Sequence, residues 1–580
     1  MSNSKRLLWV LTLGLAAAAC STGNSDDRDS AAFGTGSGGS GPTAAYDSAY
    51  GPSPAPGAAN VGAPAVSANS SQSLTPASGG NTASVQPEAP QSASDGDRYQ
   101  SVGTNPFVMV AHDPLSTFGA DVDTASYDIF RRDVNLSSLP DRESVRLEEY
   151  INSFHYDYPA AAHDAPEPFS IALAAAQNPL RPGTTLLRVG IQGKNAPPEE
   201  PKPANLVFLV DVSGSMQAAD RLPLAQQVLR QTLDLLQPTD TVSIVSYASD
   251  TRVRLAPTPV SERATIVGNI DGLTAGGSTA GASGIDLAYA QAQAGFLQSG
   301  INHIILCTDG DFNVGRSSNA ELLDLIREKR RSGVTLTALG FGAGNLNDSM
   351  LEAVSNAGNG FYGVISSEAQ AADYVQRRML STLTLIAKDV KIQVEFNAQQ
   401  VAAFRLLGYE NRAIADQDFR NDIVDAGEIG SGHQVTALYE LVLAGGALPE
   451  TAGAPAALDG AAYDGAREVA AEDLVLVKIR YKQPDAGTTD PALEVSSRLA
   501  PAAIASTGSE LERDLDWAIS LAAFAEILAA SPYASLAHLS DLESTFLAQR
   551  ERDADRAEFL ELFTRARSQL PSRCPACPAM

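Results

Sequence analysis

Between residues 205 and 386 short apolar runs alternate with amphipathic stretches. The runs fall at 205–210, 241–248, 302–308, 334–341 and 361–365. Helical spacing fills 222–236, 261–272, 281–298, 318–332, 346–356 and 368–386. A strand apolar on both faces, such as Leu206 to Val210, suits a sheet covered by helices on both sides. Regular strand–helix alternation predicts a doubly wound, mainly parallel sheet. TRVRLAP, after Tyr247-Ala248-Ser249-Asp250, departs from this and reads as an antiparallel edge strand.

The flanks follow another pattern. Within 101–200, polar turns lead to helices near 124–135 and 141–154, the second ending before Pro159. PFSIALAAAQNP and TLLRVGIQGK then alternate like strands. Beyond 386, DVKIQVEFN, VTALYELVL and LVLVKIRYK alternate as half-buried antiparallel strands, and a Gly/Ala-rich stretch at 444–466 reads as a long loop. Helical patterns at 512–530 and 540–569 complete a C-terminal module over 387–570. We expect the strands at 169–193 to join those at 388–396, 434–443 and 474–482 in one β-sandwich. The α/β domain, 201–386, is then an insertion whose two ends lie together.

The N-terminal patterning is different again. Lys5 and Arg6 precede an apolar stretch from Leu7 to Leu15 and a run of alanines ending in Cys20. This reads as a signal peptide over 1–20, too short to span a membrane. The small residues before Cys20 resemble a bacterial lipobox, although Ala17 stands where leucine is most usual. That resemblance implies a lipid on Cys20, and Ser21 after it resembles an outer-membrane sorting signal. Residues 21–100 are rich in Gly, Ser, Ala and Pro, cannot bury enough surface to order themselves, and read as a flexible tether.

Composition narrows the function. The 580 residues allow about three domains. A net charge of −27 excludes nucleic acid as a partner, because phosphate binding needs a basic surface. Four cysteines do not make a disulfide scaffold. Cys307 lies in an apolar run and is expected in the core, whereas Cys574 and Cys577 sit in a tail, 571–580, expected to be exposed with an optional disulfide.

Chemistry gathers in three loops. Asp211, Ser213 and Ser215 follow the first apolar run at two-residue spacing and can converge in an extended turn. AGGSTAGASG, 275–284, opens a helix and carries Thr279. ILCTDGD ends another apolar run in Asp309. In a doubly wound sheet all three lie at the carboxyl edge, where the strand order reverses. Five hard oxygen ligands suit Mg²⁺ or Mn²⁺ rather than zinc or copper. An octahedral ion keeps one further position for an outside group, here a partner's carboxylate.

DVSGSM, GGST and TDGD, in this order, resemble the metal-ion-dependent adhesion site of von Willebrand factor type A domains. The resemblance implies Mg²⁺ (or Mn²⁺ or Ca²⁺) held by Asp211, Ser213, Ser215, Thr279 and Asp309, some through water. It implies a protein partner supplying Asp or Glu, and helix 368–386 transmitting any change to the sandwich. NPF…DPLSTFGADVDTASY before the domain and GYENR…DAGEIGSGHQVTALYEL after it resemble the flanks of a group of bacterial lipoproteins. Together these imply a non-enzymatic binding protein on the cell envelope.

Rival readings are weaker. GxxxxGK[ST] is absent and the glycine-rich loop has no lysine, which argues against a nucleotide site. A metal hydrolase needs an activated water or a nucleophile with its base, and His303, at the far end of its strand, is expected on the surface. DGDFNVG has its glycine one position late for an EF-hand and no glutamate at the twelfth. Asp121 and Asp123 are expected to cap the next helix rather than bind a cation, and Asp416, Asp418, Asp422, Asp425 and Glu428 to form a solvated turn. His112, His155 and His163 are scattered and fit no zinc pattern. An envelope scaffold without metal-dependent binding is the remaining alternative.

Overall fold

The computed structural model describes residues 96–573, except 121–122, 163–164, 196–201, 279–280, 311–317, 425, 451–464, 488–489 and 508–510. The expected leader with Cys20, almost all of the tether, Asp121, His163, Asp425, Cys574 and Cys577 lie outside the described residues. All described residues belong to the second of the chain's two units, Pro90–Met580.

A six-stranded sheet forms the centre of the α/β domain. Its order is Tyr362–Ile365, Thr335–Phe341, Ile301–Thr308, Ala204–Asp211, Thr241–Tyr247, Thr251–Pro259. The first five are parallel and the last is an antiparallel edge. Ala204–Asp211 is apolar on both faces because both are covered. Leu206, Phe208 and Val210 pack into one core with helices Leu222–Thr232 and Arg263–Asp271. Val207 and Leu209 pack into another with helices Gly281–Ala294, Asn319–Arg330 and Asp348–Ala357. Cys307 is fully buried. From the central strand the chain passes to Thr241–Tyr247 on one side and later returns to Ile301–Thr308 on the other. The order therefore reverses beside Asp211.

The flanking strands build a β-sandwich. One sheet has the order Val108–Met109, Val401–Leu407, Gln434–Leu443, Thr185–Gly193, Phe169–Gln177, Ile504–Ala505. The other runs Gly427–Gly430, Leu385–Phe396, Val475–Lys482, Leu493–Leu499, with Leu115–Gly119 also paired to Leu385–Phe396. Thr185–Gly193, before the α/β domain, pairs antiparallel with Gln434–Leu443, after it. Val189, Ile191 and Tyr439 of the first sheet share a core with Ile392, Val394 and Val477 of the second. The α/β domain is thus inserted in a β-rich domain. The strand at Val401–Leu407 was not expected; its register with Gln434–Leu443 comes from a partner some thirty residues on.

Helices Arg513–Ala529, Leu539–Gln549 and Ala554–Arg567 close the molecule against Ala125–Asn135 and Leu147–Asn152. Their core is aromatic: Tyr127, Phe130, Phe154, Trp517, Phe524, Phe546, Phe559 and Phe563. The helical pattern at 540–569 divides into two helices, because the Asp553 side chain accepts from the Arg556 N–H at 2.8 Å and starts a new one.

Three further expectations are corrected. The segment expected as helix 368–386 is α-helical over Glu368–Asp373, π-helical over Tyr374–Met379 and α-helical again over Leu380–Leu383. It stops there because Leu385 and Ala387 pair with Gly430 and Ile429. His303 is buried inside its strand, not on the surface, and its Nδ1 lies 2.6 Å from Thr335 Oγ1. The cap position of the helix at Ala125 is Thr124, and Asp123, one residue earlier, accepts the Tyr362 N–H at 2.8 Å and pairs with Arg412 at 2.9 Å.

Candidate metal centre

The switch point brings two carboxylates together. Asp211 is the last residue of the central strand and fully buried. Its Oδ1 accepts the Ser213 N–H at 2.8 Å, which bends the chain sharply away from the sheet. Ser213 Oγ then lies 2.9 Å from Ser215 Oγ, so alternate side chains do converge. On the neighbouring strand Thr308 Oγ1 donates to Asp211 Oδ2 at 3.0 Å. Asp309, 1% exposed, follows directly. Gly310 is at φ +95°, and a Cβ there would meet the Asn347 nitrogen at 2.3 Å, so only glycine lets the chain leave here.

The glycine-rich loop is bonded to the first loop. Gly276 N–H donates to Val212 C=O at 2.8 Å, and Gly214 N–H to Gly277 C=O at 2.9 Å. Ser278 N–H donates to Ser249 Oγ at 2.9 Å. Thr279 itself lies outside the described residues, between Ser278 and the helix that opens at Gly281. Four of the five candidate ligands, Asp211, Ser213, Ser215 and Asp309, are therefore placed at the carboxyl edges of two adjacent strands.

Residues not singled out from sequence complete the surroundings. Arg221, just before helix Leu222–Thr232, donates through one guanidinium nitrogen to Asp309 Oδ2 and to Ser215 C=O, both at 2.7 Å. Its other terminal nitrogen donates to Ala343 C=O at 2.9 Å. Asn345 Nδ2 lies 3.5 Å from the same Asp309 oxygen. Thr308 was legible as the hydroxyl beside Asp309, but no spacing marks Arg221 or the loop after Phe341.

Burial pushes the Asp211 carboxyl up to about 6; the charge of Asp309 adds to this, and hydrogen bonds from Ser213 and Thr308 oppose it. Two buried carboxylates so close need cationic charge, and hydroxyls beside them supply neutral hard oxygens. This donor set fits Mg²⁺ or Mn²⁺. No group of three or more His, Cys, Asp or Glu able to hold a metal exists among the described residues. An ion held here would need the hydroxyls as well.

Other candidates disperse. Among the acidic run, Asp422 pairs with Arg480 at 2.8 Å and Asp416 accepts from Thr117 at 2.5 Å. They are spent on sheet contacts rather than gathered.

The fold and site define a von Willebrand factor type A domain protein. The model for that domain matches residues 205–377, and one described as von Willebrand factor matches 93–188. A third, the C-terminal model of the uncharacterized protein YfbK, matches 381–569. YfbK of Escherichia coli strain K12 is 37% identical over 478 residues, 80% of each chain. The chain belongs to the YfbK family. Human inter-alpha-trypsin inhibitor heavy chain H3 is 28% identical over 184 residues, 29% of this chain and 20% of that one. A solved von Willebrand factor type A structure from Catenulispora acidiphila, 15% identical, covers 71% of this chain and 91% of its own with a TM-score of 0.40. Domains of this class generally mediate protein interactions, often with a divalent metal.

Proposed function

We propose that this protein captures a partner protein through a divalent cation, while a lipid on Cys20 anchors it to the bacterial cell envelope, in the outer membrane. Asp211, Ser213, Ser215, Thr279 and Asp309 hold Mg²⁺, or Mn²⁺ or Ca²⁺ in its place. An Asp or Glu of the partner fills the open position. One observation carries the reading: two buried carboxylates leave adjacent parallel strands at the switch point, with two hydroxyls converging beside Asp211. Such a set leaves a cation electron-poor and able to take an outside carboxylate. Hydrogen bonds from the Ser213 N–H and the Thr308 hydroxyl orient the Asp211 carboxylate, as suits a ligand held in place. We read the protein as a binding module rather than an enzyme. The Gly/Ser/Ala/Pro-rich composition of residues 21–100 supports their reading as a tether.

The experiment is partner capture from envelope extract with the full chain. Capture should need Mg²⁺ or Mn²⁺, fall away with EDTA, and be lost in Asp211→Ala. Unchanged capture under both treatments would overturn the metal-dependent mechanism. Cross-linking in intact cells with metal present would identify the partner.

A further inference from the structure

We propose that Arg221 is the resident counter-cation of this site: its guanidinium competes with the divalent ion for Asp309, so that loading the site loosens Arg221. The proposal rests on the metal reading above and concerns what regulates it.

Three observations converge. First, the Arg221–Asp309 pair is close and largely buried: 2.7 Å, with the two side chains 15% and 0% exposed. Second, charge does not balance with both cations in place. Asp211 and Asp309 carry two negative charges when ionised, and Arg221 carries one positive charge. A divalent ion beside an undisplaced Arg221 turns a net −1 into a net +1 in a poorly solvated pocket. Like charges repel strongly there, which pushes the guanidinium off Asp309. Third, Arg221 is imperfectly held. Among the described residues its Nε has no hydrogen-bond partner although it is buried.

Moving Arg221 has a defined consequence. The same guanidinium ties Ser215 C=O to Ala343 C=O, joining the first ligand loop to the loop after Thr335–Phe341. That second loop is shaped around it. Gly342 stands at φ +80°, and a Cβ there would meet Arg221 Cγ and Nε at 2.8 Å. Arg221 is thus a positioning residue: it sets how tightly the cation binds and connects that event to a fourth loop at the carboxyl edge.

The test is a Mn²⁺ titration of the full chain by calorimetry, followed in parallel by Mn²⁺ electron paramagnetic resonance and by thermal unfolding. Arg221→Gln should bind Mn²⁺ about 5- to 150-fold more tightly than the wild type, the span of an ordinary coupling free energy. Its melting temperature should be lower without metal and recover with it, because Asp309 loses its counter-charge only when metal is absent. Arg221→Lys keeps the charge without the fork, and should tighten binding by a smaller factor; it serves if the glutamine variant does not fold. Unchanged or weaker Mn²⁺ binding in the variants overturns the competition and leaves the metal reading standing. Absence of Mn²⁺ binding in wild type and variants alike overturns both.

Discussion

Thr308 Oγ1 donates to Asp211 Oδ2 across two parallel strands at 3.0 Å. The same oxygen accepts the Gly310 N–H at 3.2 Å. One hydroxyl thus aims the Asp211 carboxylate and starts the turn that carries Asp309.

Thr308→Val keeps the shape and removes that hydroxyl. It takes one hydrogen bond away from a buried carboxylate, so stability should fall by about 1–3 kcal/mol. Mn²⁺ affinity should fall as well, since Asp211 is no longer aimed. Urea unfolding checks the first and calorimetry the second; a variant as stable as wild type with unaltered Mn²⁺ affinity denies Thr308 this role.

Metal binding should weaken in acid. Asp211 takes up its proton at about 6, above the ordinary value of 3.8, because it is buried. Below that pH the cation must displace a proton, and affinity should drop by up to about tenfold per pH unit. Without metal the sign for stability is opposite. A raised carboxyl pKa means that the native state binds the proton more readily, so this group's contribution is present in acid and lost as pH rises through about 6. The stabilisation gained from Mn²⁺, read as a shift in melting temperature, should therefore grow between pH 5 and 7 (about two units centred on that pKa).

Two histidines pull the other way. Burial lowers His303 to about 4; burial, with the charge of Arg378, lowers His433 to about 3. Both stay neutral in the folded chain while the unfolded chain takes up protons near 6.5. Their stability is full above that value and lost as pH falls toward 4, at up to about 1.4 kcal/mol per pH unit for each. Urea unfolding at a series of pH values should show His303→Gln with a shallower acid loss than wild type; an identical slope would remove His303 from the account.

Arg146 joins the N-terminal flank to the α/β domain. Its guanidinium, 2% exposed, pairs with Asp348 at 2.7 Å and with Glu149 on its own flank. Arg146→Met strips a counter-charge from buried carboxylates, and should cost about 3–5 kcal/mol. Calorimetry should show a lower melting temperature; a loss under about 1 kcal/mol would place the pair among weak surface contacts.

Much of the fold was legible because local rules dictate it. Leu206 to Val210 are apolar at successive positions, and only a strand covered on both faces uses such a run. Gly214 stands where its loop passes close to the Gly277 carbonyl, and Gly277 and Gly310 stand at positive φ where the chain turns. His303 was misread because an imidazole near a strand start looks exposed until Thr335 is known to lie beside it. Helix 368–386 was overrun because Leu385 and Ile386 suit either element, and pairing with Gly427–Gly430 draws this stretch into a sheet.

By itself the sequence determined the strand–helix alternation and the short oxygen-bearing residues at the ends of two strands, since both follow from periodicity and turn chemistry within a few residues. Only the tertiary structure decided which distant segments meet: Thr185–Gly193 with Gln434–Leu443, Arg146 with Asp348, and Arg221 with Asp309. Those choices depend on which surfaces pack and which buried charges find a counter-charge. No local pattern encodes that, because the free energy concerned belongs to pairs of residues far apart in the chain.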